Sequence, residues 1–408
     1  MEIGPIRTIS SRQQITAGQL HDDILGNIFR LLTDDFPSLK ASSLVCRTWA
    51  MSTRRYVFEI ITVRPSKVTT LVEILSHHPW PTVVPNVRRL KTCGFSDKTF
   101  RGCLFLDSVS SHLTHFTFRD VNLASFELLV TIIHNMPQLQ SVALLDVRFP
   151  SLSKKLQYAG CFLPSSVRRF RIRNTPAAPF LAWLSSHPDM PPITDLDLGQ
   201  LGDTELHMTG QVLTNVAPSL LHISLSFGCG AMGHAWVESM TRSNLSSTSG
   251  GLHACIKVTR APNSVRFQQV FGTPPCDVFV FMSQLSVVHI ENFVGLHEAM
   301  STKANANEFL AAQVLASIPG TQVKCVILGL GISSAAQLCR CNINWPFFDE
   351  ILTNESYKAL ESVEFRLVGR GNLDNIANFI STMLPLTASK NLLCFRRADS
   401  NMTASDYA

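Results

Sequence analysis

A short pattern of apolar residues recurs along most of this chain. Each copy holds an apolar residue, two variable residues, a second apolar residue, one variable residue and a third apolar residue. Because side chains alternate between the two faces of a strand, the end of each copy predicts a β-strand with one buried face. Nine copies are visible, and their middle residues are Leu90, Phe116, Val142, Phe170, Leu196, Ile223, Val288, Val326 and Val363.

The copies follow one another at a nearly constant spacing. The first six middle residues lie 26 to 28 residues apart, and the later intervals are longer. A further copy around Ile256 and Val258 would divide the longest interval. The segments between copies have helical periodicity, and several stop at a proline, which cannot continue a helix. The predicted helices cover residues 68–78, 124–136, 180–187, 210–217, 306–318, 345–353 and 375–384, and a last strand covers residues 391–397.

A strand–helix unit of this length resembles a leucine-rich repeat, whose period is roughly 20–29 residues. The resemblance implies a solenoid with a horseshoe shape. That family usually has asparagine or cysteine after each strand, so the repeats of this chain are degenerate. An ordinary α/β sheet built from βαβ units remains open as the alternative. The positions concerned hold Phe95, Val121, Val147, Thr175, Leu201 and Gly228.

The first sixty residues have a different pattern, which predicts a small helical unit. Residues 20–32 place apolar side chains on one broad helical face, and residues 33–37 break that helix. A second helical stretch includes Leu39 and continues through Trp49 towards Phe58. These residues, in this order, resemble an F-box. The detailed sequence is similar to that of F-box proteins of mushroom-forming fungi. The matching residues are Leu20, Ile28, Phe29, Asp34, Asp35, Leu44, Val45, Cys46, Arg47, Trp49, Val57 and Phe58.

The F-box resemblance implies docking onto a Skp-type adaptor, and through it onto a cullin–RING ubiquitin ligase. His21 stands where the family has proline, which favours the first helical position, so this change should weaken the helix start. The alternative is any three-helix bundle in which the same side chains form the core. The residues expected to bind the adaptor are Leu20, Ile24, Ile28, Phe29, Leu44, Val45, Cys46 and Trp49.

The sequence therefore predicts an α/β chain in which a three-helix F-box precedes a leucine-rich-repeat-like solenoid. We expect the F-box domain to span residues 16–62 and the solenoid residues 63–397. Residues 1–15 and 398–408 are polar and are expected to be flexible tails.

The variable positions within each strand predict a second, exposed face of the solenoid. The face is basic in its N-terminal half, and the sign changes at Asp195. Arginine clusters bind carboxylates and phosphates, so this half is the candidate site for an acidic or phosphorylated client. The alternative is a solvated face on which Arg171 pairs with Asp195 or Asp197. The residues proposed to bind the client are Arg89, Lys91, His115, Arg119, Arg169, Arg171 and Arg173.

Composition narrows the class of protein. Charged residues make up 16% of the chain, against roughly 25% in an average domain, which favours a large buried surface. No apolar run approaches a membrane span or a secretory signal, so we expect no membrane partner. The 11 cysteines form no Cys-x-x-Cys pair, which indicates reduced thiols in the cytoplasm or nucleus. The net charge of +5 is mild, and we expect no nucleic-acid partner.

Signals for catalysis are weak. Gly228, Gly230 and Gly233 follow a strand as in a dinucleotide fingerprint, but no acidic residue follows at the distance that ribose binding requires. Ser151 and Lys154 lack the companion motifs of a Ser–Lys nucleophile. We therefore expect no enzyme activity, cofactor or metal site. The remaining hypotheses are a ligase substrate receptor, an F-box-like scaffold outside a ligase, and a nucleotide-binding α/β enzyme.

Overall fold

The computed structural model describes residues 21–76, 84–96, 109–149, 160–227, 284–294 and 320–398, apart from a few single positions, together with residues 106 and 282 and part of 311–318. Leu20, residues 1–15 and residues 399–408 lie outside the described residues. So do the repeat copy around Ile256 and the glycine motif that begins at Gly228.

Three short helices form the N-terminal unit. They are α1 (Asp22–Leu31), α2 (Phe36–Ser42) and α3 (Arg47–Val57). His21 caps α1, since its ring Nδ1 accepts a hydrogen bond from the Asp23 backbone N–H at 3.4 Å. Asp35 caps α2 in the same way, since its carboxylate accepts a hydrogen bond from the Ser38 backbone N–H. Helix α1 thus begins at the expected place although His21 replaces the family's proline.

The rest of the described chain builds one sheet of 11 strands. All neighbours are parallel, and the strands follow one another in chain order from β1 to β11. Each strand therefore pairs with the strands before and after it in the sequence. The strands are β1 (Ile60–Val63), β2 (Arg89–Cys93), β3 (His115–Asn122), β4 (Ser141–Arg148), β5 (Arg169–Arg173), β6 (Asp195–Leu201), β7 (His222–Phe227), β8 (Val287–Val294), β9 (Cys325–Leu330), β10 (Ser362–Leu367) and β11 (Leu393–Arg397).

Helices and 3₁₀ turns connect the strands and cover one face of the sheet. In the part of the chain that the structure describes, no helix is long and apolar enough to cross a membrane. The α-helices are α4 (Val68–Ser76), α5 (Phe126–His134), α6 (Ala178–Ser185), α7 (Asp203–Val216), α8 (Ala335–Arg340), α9 (Trp345–Thr353), α10 (Leu373–Met383) and α11 (Pro385–Ser389), and the 3₁₀ turns are Pro65–Lys67, Val84–Asn86, Ser110–His112, Ala217–Ser219, Gly320–Gln322 and Glu355–Tyr357.

The apolar residues of the repeat pattern form the core between the sheet and these helices. The middle residue of every predicted copy lies in a strand and is at most 2% exposed. The first residue of each copy is also buried and precedes its strand. The predictions of an α/β chain and of these nine strands are therefore confirmed. Helix α7 begins earlier than the predicted 210–217, and β1 adds a strand that the repeat pattern did not include.

A recurring backbone feature lies near the C-terminal ends of four early strands. Gly94, Asp120, Asp146 and Asn174 all have positive φ, from 49° to 72°. They occupy equivalent places in four successive repeats, and glycine, aspartate and asparagine tolerate this left-handed conformation best. The Asn174 amide donates a hydrogen bond to Asp146 Oδ1 at 3.1 Å, which links two of these turns.

Candidate functional site

The side chains on the open face of the sheet form rows, because neighbouring parallel strands pair in register. Side chains two residues apart on a strand share this face, so each strand contributes to successive rows. The lower row runs Arg89, His115, Ser141, Arg169, Asp195 and His222, and the middle row runs Lys91, Thr117, Ala143, Arg171, Asp197, Ser224 and His289.

These rows line one cavity of about 870 Å³. Ile60 on β1 and Arg366 on β10 line the same cavity. In a flat sheet nine strand spacings would separate them by roughly 43 Å. The sheet must therefore curve, with this face on the inside. Cavities of this size hold small ligands or part of a peptide.

All seven residues that the sequence proposed for client binding line this cavity. The structure also adds residues that the repeat pattern missed, namely Ile60 and Thr62 on β1 and Leu145 at the top of β4. The run of β-branched residues from Ile60 to Val63 was the signal for β1. The proposed residues are Arg89, Lys91, His115, Arg119, Arg169, Arg171 and Arg173.

Two of the proposed arginines are held by acidic side chains. The Arg171 Nε atom lies 2.9 Å from Asp197 Oδ2, and Arg173 Nη2 lies 2.9 Å from the same oxygen. Arg173 also contacts Glu291 on β8 at 2.5 Å. The alternative of a cross-strand pair between Arg171 and Asp197 is therefore what the structure shows. Arg171 and Arg173 are consequently less available for an external anion than the sequence suggested.

Asp195 also has partners within the sheet. Its two carboxylate oxygens lie 2.6 Å from His222 Nδ1 and 2.5 Å from the Thr194 hydroxyl, which donates. Burial raises the pKa of Asp195, but these hydrogen bonds outweigh it and hold the pKa below its usual value. The acidic half of the face is thus neutralised by its own neighbours.

Three cations on the basic half have no such partner. The side chains of Lys91, Arg119 and Arg169 make no ion pair or hydrogen bond with any described residue, although the charge of Arg169 helps to lower the pKa of Asp195 on the next strand. Arg89 makes one long contact, 3.6 Å, with Glu59. The free positive charge of the cavity therefore lies on β2, β3 and β5.

Two of the three histidines that line the cavity, His115 and His289, are uncharged at neutral pH. Burial, followed by the charges of Arg89 and Arg169, lowers the pKa of His115 to about 4. Burial and nearby arginines lower the pKa of His289 to about 3. His115, which was proposed as a client-binding residue, therefore offers the client hydrogen bonds but no positive charge at neutral pH.

The N-terminal unit presents a second candidate site. Ile24 is 51% exposed and Leu44 is 82% exposed, and Ile28 and Val45 are also exposed. Seven of the 11 large hydrophobic side chains that are exposed in the described part of the chain belong to this unit. Exposed apolar patches of this kind mark interaction surfaces. The seven are Ile24, Ile28, Leu31, Phe36, Leu44, Val45 and Met51.

Other residues proposed for adaptor binding face inward. Phe29 is fully buried and forms the small core of the unit with Leu25 and Leu39. Its ring packs edge-on against Trp49 with centroids 5.4 Å apart. Phe29 therefore cannot contact a partner directly, which corrects the prediction, and the half-buried Trp49 supports it from the side. Cys46 is half-buried at the N-cap of α3.

Among the described residues, no cluster of histidine, cysteine and carboxylate side chains could hold a metal ion. Comparison with known proteins adds no relative: no family model matches this chain, and no curated protein matches it.

Proposed function

We propose that this chain is the substrate receptor of a Skp–cullin–F-box ubiquitin ligase. Helices α1–α3 would dock onto the Skp-type adaptor, and a leucine-rich-repeat-like solenoid would hold the client on its curved inner face. The receptor would act by proximity alone, bringing the client to the ubiquitin-loaded enzyme. Such a ligase works in the cytoplasm or nucleus.

The observation that carries the proposal is the division of apolar residues within α1. Leu25 and Phe29 are spaced by four residues and face the core of the unit. Ile24, Ile28 and Leu31 share the spacing of one helical stripe and point outward. A unit of three short helices would not leave so much apolar surface in water unless another protein covered it. The F-box resemblance names that protein as a Skp-type adaptor.

The sequential parallel sheet supports the second half of the proposal. Each strand pairs with its chain neighbours, as expected for stacked repeats, in which one unit buries its apolar face against the next. Curved repeat sheets provide extended inner surfaces for partners, and the cavity of about 870 Å³ lies on that surface.

Binding of a purified Skp-type adaptor by the full-length chain tests the docking half. We expect Ile28→Asp and Leu44→Asp each to weaken binding at least tenfold, because a charge in a desolvated apolar contact is costly. Isothermal calorimetry measures the affinity, and circular dichroism verifies that each variant remains folded.

Leu386→Asp is the matched control, since Leu386 is a comparably exposed leucine on α11, far along the chain. It should bind the adaptor as the unmodified chain does. A folded, unmodified chain that does not bind the adaptor would overturn the ligase role and favour an F-box-like scaffold that acts outside a ligase.

A further inference from the structure

The basic half of the cavity has the form of a cradle. The lower row places Arg89 and Arg169 on either side of His115 and Ser141. In the middle row, Lys91 and Arg171 flank Thr117 and Ala143 in the same order. Two long cationic side chains thus stand on each side of a floor of smaller ones. We call the residues Arg89, Lys91, Arg169 and Arg171 the walls of the cradle and His115, Thr117, Ser141 and Ala143 its floor.

The walls are separated by a distance that suits an anion. Three strand spacings separate β2 from β5, which places the wall backbones roughly 14 Å apart. Lysine and arginine side chains extend far enough from both walls to reach a group that rests on the floor. Arg119 lies above the floor on β3 and lines the same cavity.

Each wall contains one cation that contacts a carboxylate and one cation that makes no described ion pair. On β2, Arg89 contacts Glu59 at 3.6 Å while Lys91 has no described partner. On β5, Arg171 is paired with Asp197 at 2.9 Å, while the Arg169 side chain makes no described ion pair or hydrogen bond, although Asp195 lies beside it on β6. Like charges gathered in a cavity repel one another, and an anion between the walls would relieve that repulsion.

The floor supplies hydrogen-bond donors. The hydroxyl groups of Thr117 and Ser141 are half-buried, and neither makes a hydrogen bond with a described residue. Each hydroxyl therefore keeps its donor for water or for a ligand. Both hydroxyls line the cavity, where they can donate to an oxygen that the walls hold.

We propose that this cradle binds a phosphate group, with Lys91 and Arg169 supplying charge and Thr117 and Ser141 donating hydrogen bonds. Phosphate offers several oxygens in different directions and carries enough negative charge for the cations of both walls.

The phosphate can belong to a free small molecule or to a phosphorylated side chain of a client. The cradle itself depends only on the geometry of the sheet, whereas the assignment of the phosphate to a client rests on the proposed function. Two probes separate these sources: inorganic pyrophosphate, and the tripeptide glycyl-phosphoseryl-glycine with its unphosphorylated form as a blank.

Isothermal calorimetry on the full-length chain at low and physiological salt tests the cradle. We expect pyrophosphate to bind, and Lys91→Gln/Arg169→Gln to weaken that binding at least tenfold. Arg340→Gln/Lys358→Gln removes the same net charge from exposed positions outside the cavity and should leave the affinity unchanged.

A second variant separates a built site from a general positive field. Ala143→Leu keeps every cation but fills the floor, so it should also weaken pyrophosphate binding at least tenfold. Circular dichroism verifies that the fold is retained. An affinity unchanged by Ala143→Leu, or equally reduced by the charge control, would overturn the cradle, as would a folded chain that binds neither probe at millimolar concentration.

The outcomes also assign the source of the phosphate. Binding of pyrophosphate alone supports a free phosphorylated molecule, whereas binding of the phosphopeptide in competition with pyrophosphate supports a phosphorylated client. Because Ile28→Asp lies outside the cavity, it should bind pyrophosphate normally. A chain that binds phosphate but no adaptor, or adaptor but no phosphate, therefore shows which of the two proposals fails.

Discussion

Three histidines of the sheet domain are held in the neutral form by their surroundings. His187 is buried, and its Nε2 accepts a hydrogen bond from the Leu163 N–H at 2.7 Å, so its proton lies on Nδ1 and faces the Trp183 carbonyl oxygen, also at 2.7 Å. Burial lowers the pKa of His187. Burial and nearby arginines lower the pKa of His115 to about 4 and that of His289 to about 3. Each imidazole is thus harder to protonate in the folded chain than in the unfolded one.

We expect this arrangement to make the fold sensitive to mild acid. The unfolded histidines titrate near pH 6.5, so between about pH 6.5 and the lower folded pKa values the unfolded state binds more protons. The free energy of unfolding should therefore fall as the pH drops through that window, by about 1.4 kcal/mol per pH unit for each histidine fully uncharged in the fold. Urea unfolding at pH 7, 6 and 5 measures the slope.

The variant His289→Gln isolates one of these contributions. It should flatten the slope by up to one proton, because it removes an imidazole that the fold keeps uncharged. An identical slope in His289→Gln and the unmodified chain would contradict the explanation.

Neighbouring residues of α1 show what the sequence alone could not decide. Helical spacing correctly predicted the helix, but it grouped Ile28 with Phe29 on one broad apolar face. The structure turns Phe29 into the core and leaves Ile28 at the surface. That separation depends on where α2 and α3 pack, which periodicity within a single helix does not contain.

At the scale of strands, a glycine on β6 allows an ion pair between β5 and β8 to cross the two strands that lie between them. Gly199 lies beside Arg173, whose side chain extends past β6 and β7 to reach Glu291 on β8. A Cβ atom on Gly199 would lie 2.7 Å from the Ile172 carbonyl oxygen and 2.9 Å from Arg173 Cα, and both are backbone atoms. The β6–β7 register also shifts between Leu198 and Gln200.

Gly199→Ala should therefore strain the sheet. Because the obstructing atoms belong to the neighbouring backbone, we expect a loss of about 3 kcal/mol in the free energy of unfolding, the upper end of the usual range for overpacking. Gly160→Ala is the control: apart from its chain neighbours, no atom of a described residue lies within 4 Å of its Cβ, so its left-handed φ of +87° should cost about 1 kcal/mol. Urea unfolding measures both losses, and equal losses would argue against the steric explanation.

The strands were the most predictable part of the fold, and the ion pairs that cross the open face of the sheet were the least predictable. The alternation of apolar and variable residues correctly predicted that Leu90, Val142 and Val363 lie in strands, because this pattern depends only on residues that are close in the sequence. The pair between Arg171 and Asp197 could be anticipated from adjacent repeats. The contact between Arg173 and Glu291 could not, because it requires the sheet to curve and requires residues between them to be small.

At the scale of the whole molecule, the described residues form two separate cores. Leu25, Phe29 and Leu39 form one, and the residues between the sheet and its helices form the other. Phe58 packs against the larger core and marks the junction. We therefore expect the two parts to lose structure independently.

We expect Phe29→Ala to unfold the N-terminal unit alone. Truncating a buried phenylalanine costs about 3–5 kcal/mol, which exceeds what three short helices are expected to supply. Hydrogen exchange measured by mass spectrometry should show lost protection in residues 22–57 and retained protection in β3–β6. Leu129→Ala, in the larger core, should give the opposite pattern. Loss of protection throughout the chain in Phe29→Ala would show that the two cores are coupled.

The order of the strands has a consequence for how the chain assembles during its synthesis. Every strand from β2 onward adds to a partner that has already been translated, so no strand must wait for a distant segment to leave the ribosome. The growing edge is always the newest strand, and β11 is the last to arrive. Between β7 and β8 the pairing resumes in register after residues 228–286, so a long stretch of chain is synthesised while the Ile223 strand remains an open edge. During translation that edge would stay unpaired longer than the edge of any other described strand. We expect nascent-chain chaperones to bind there.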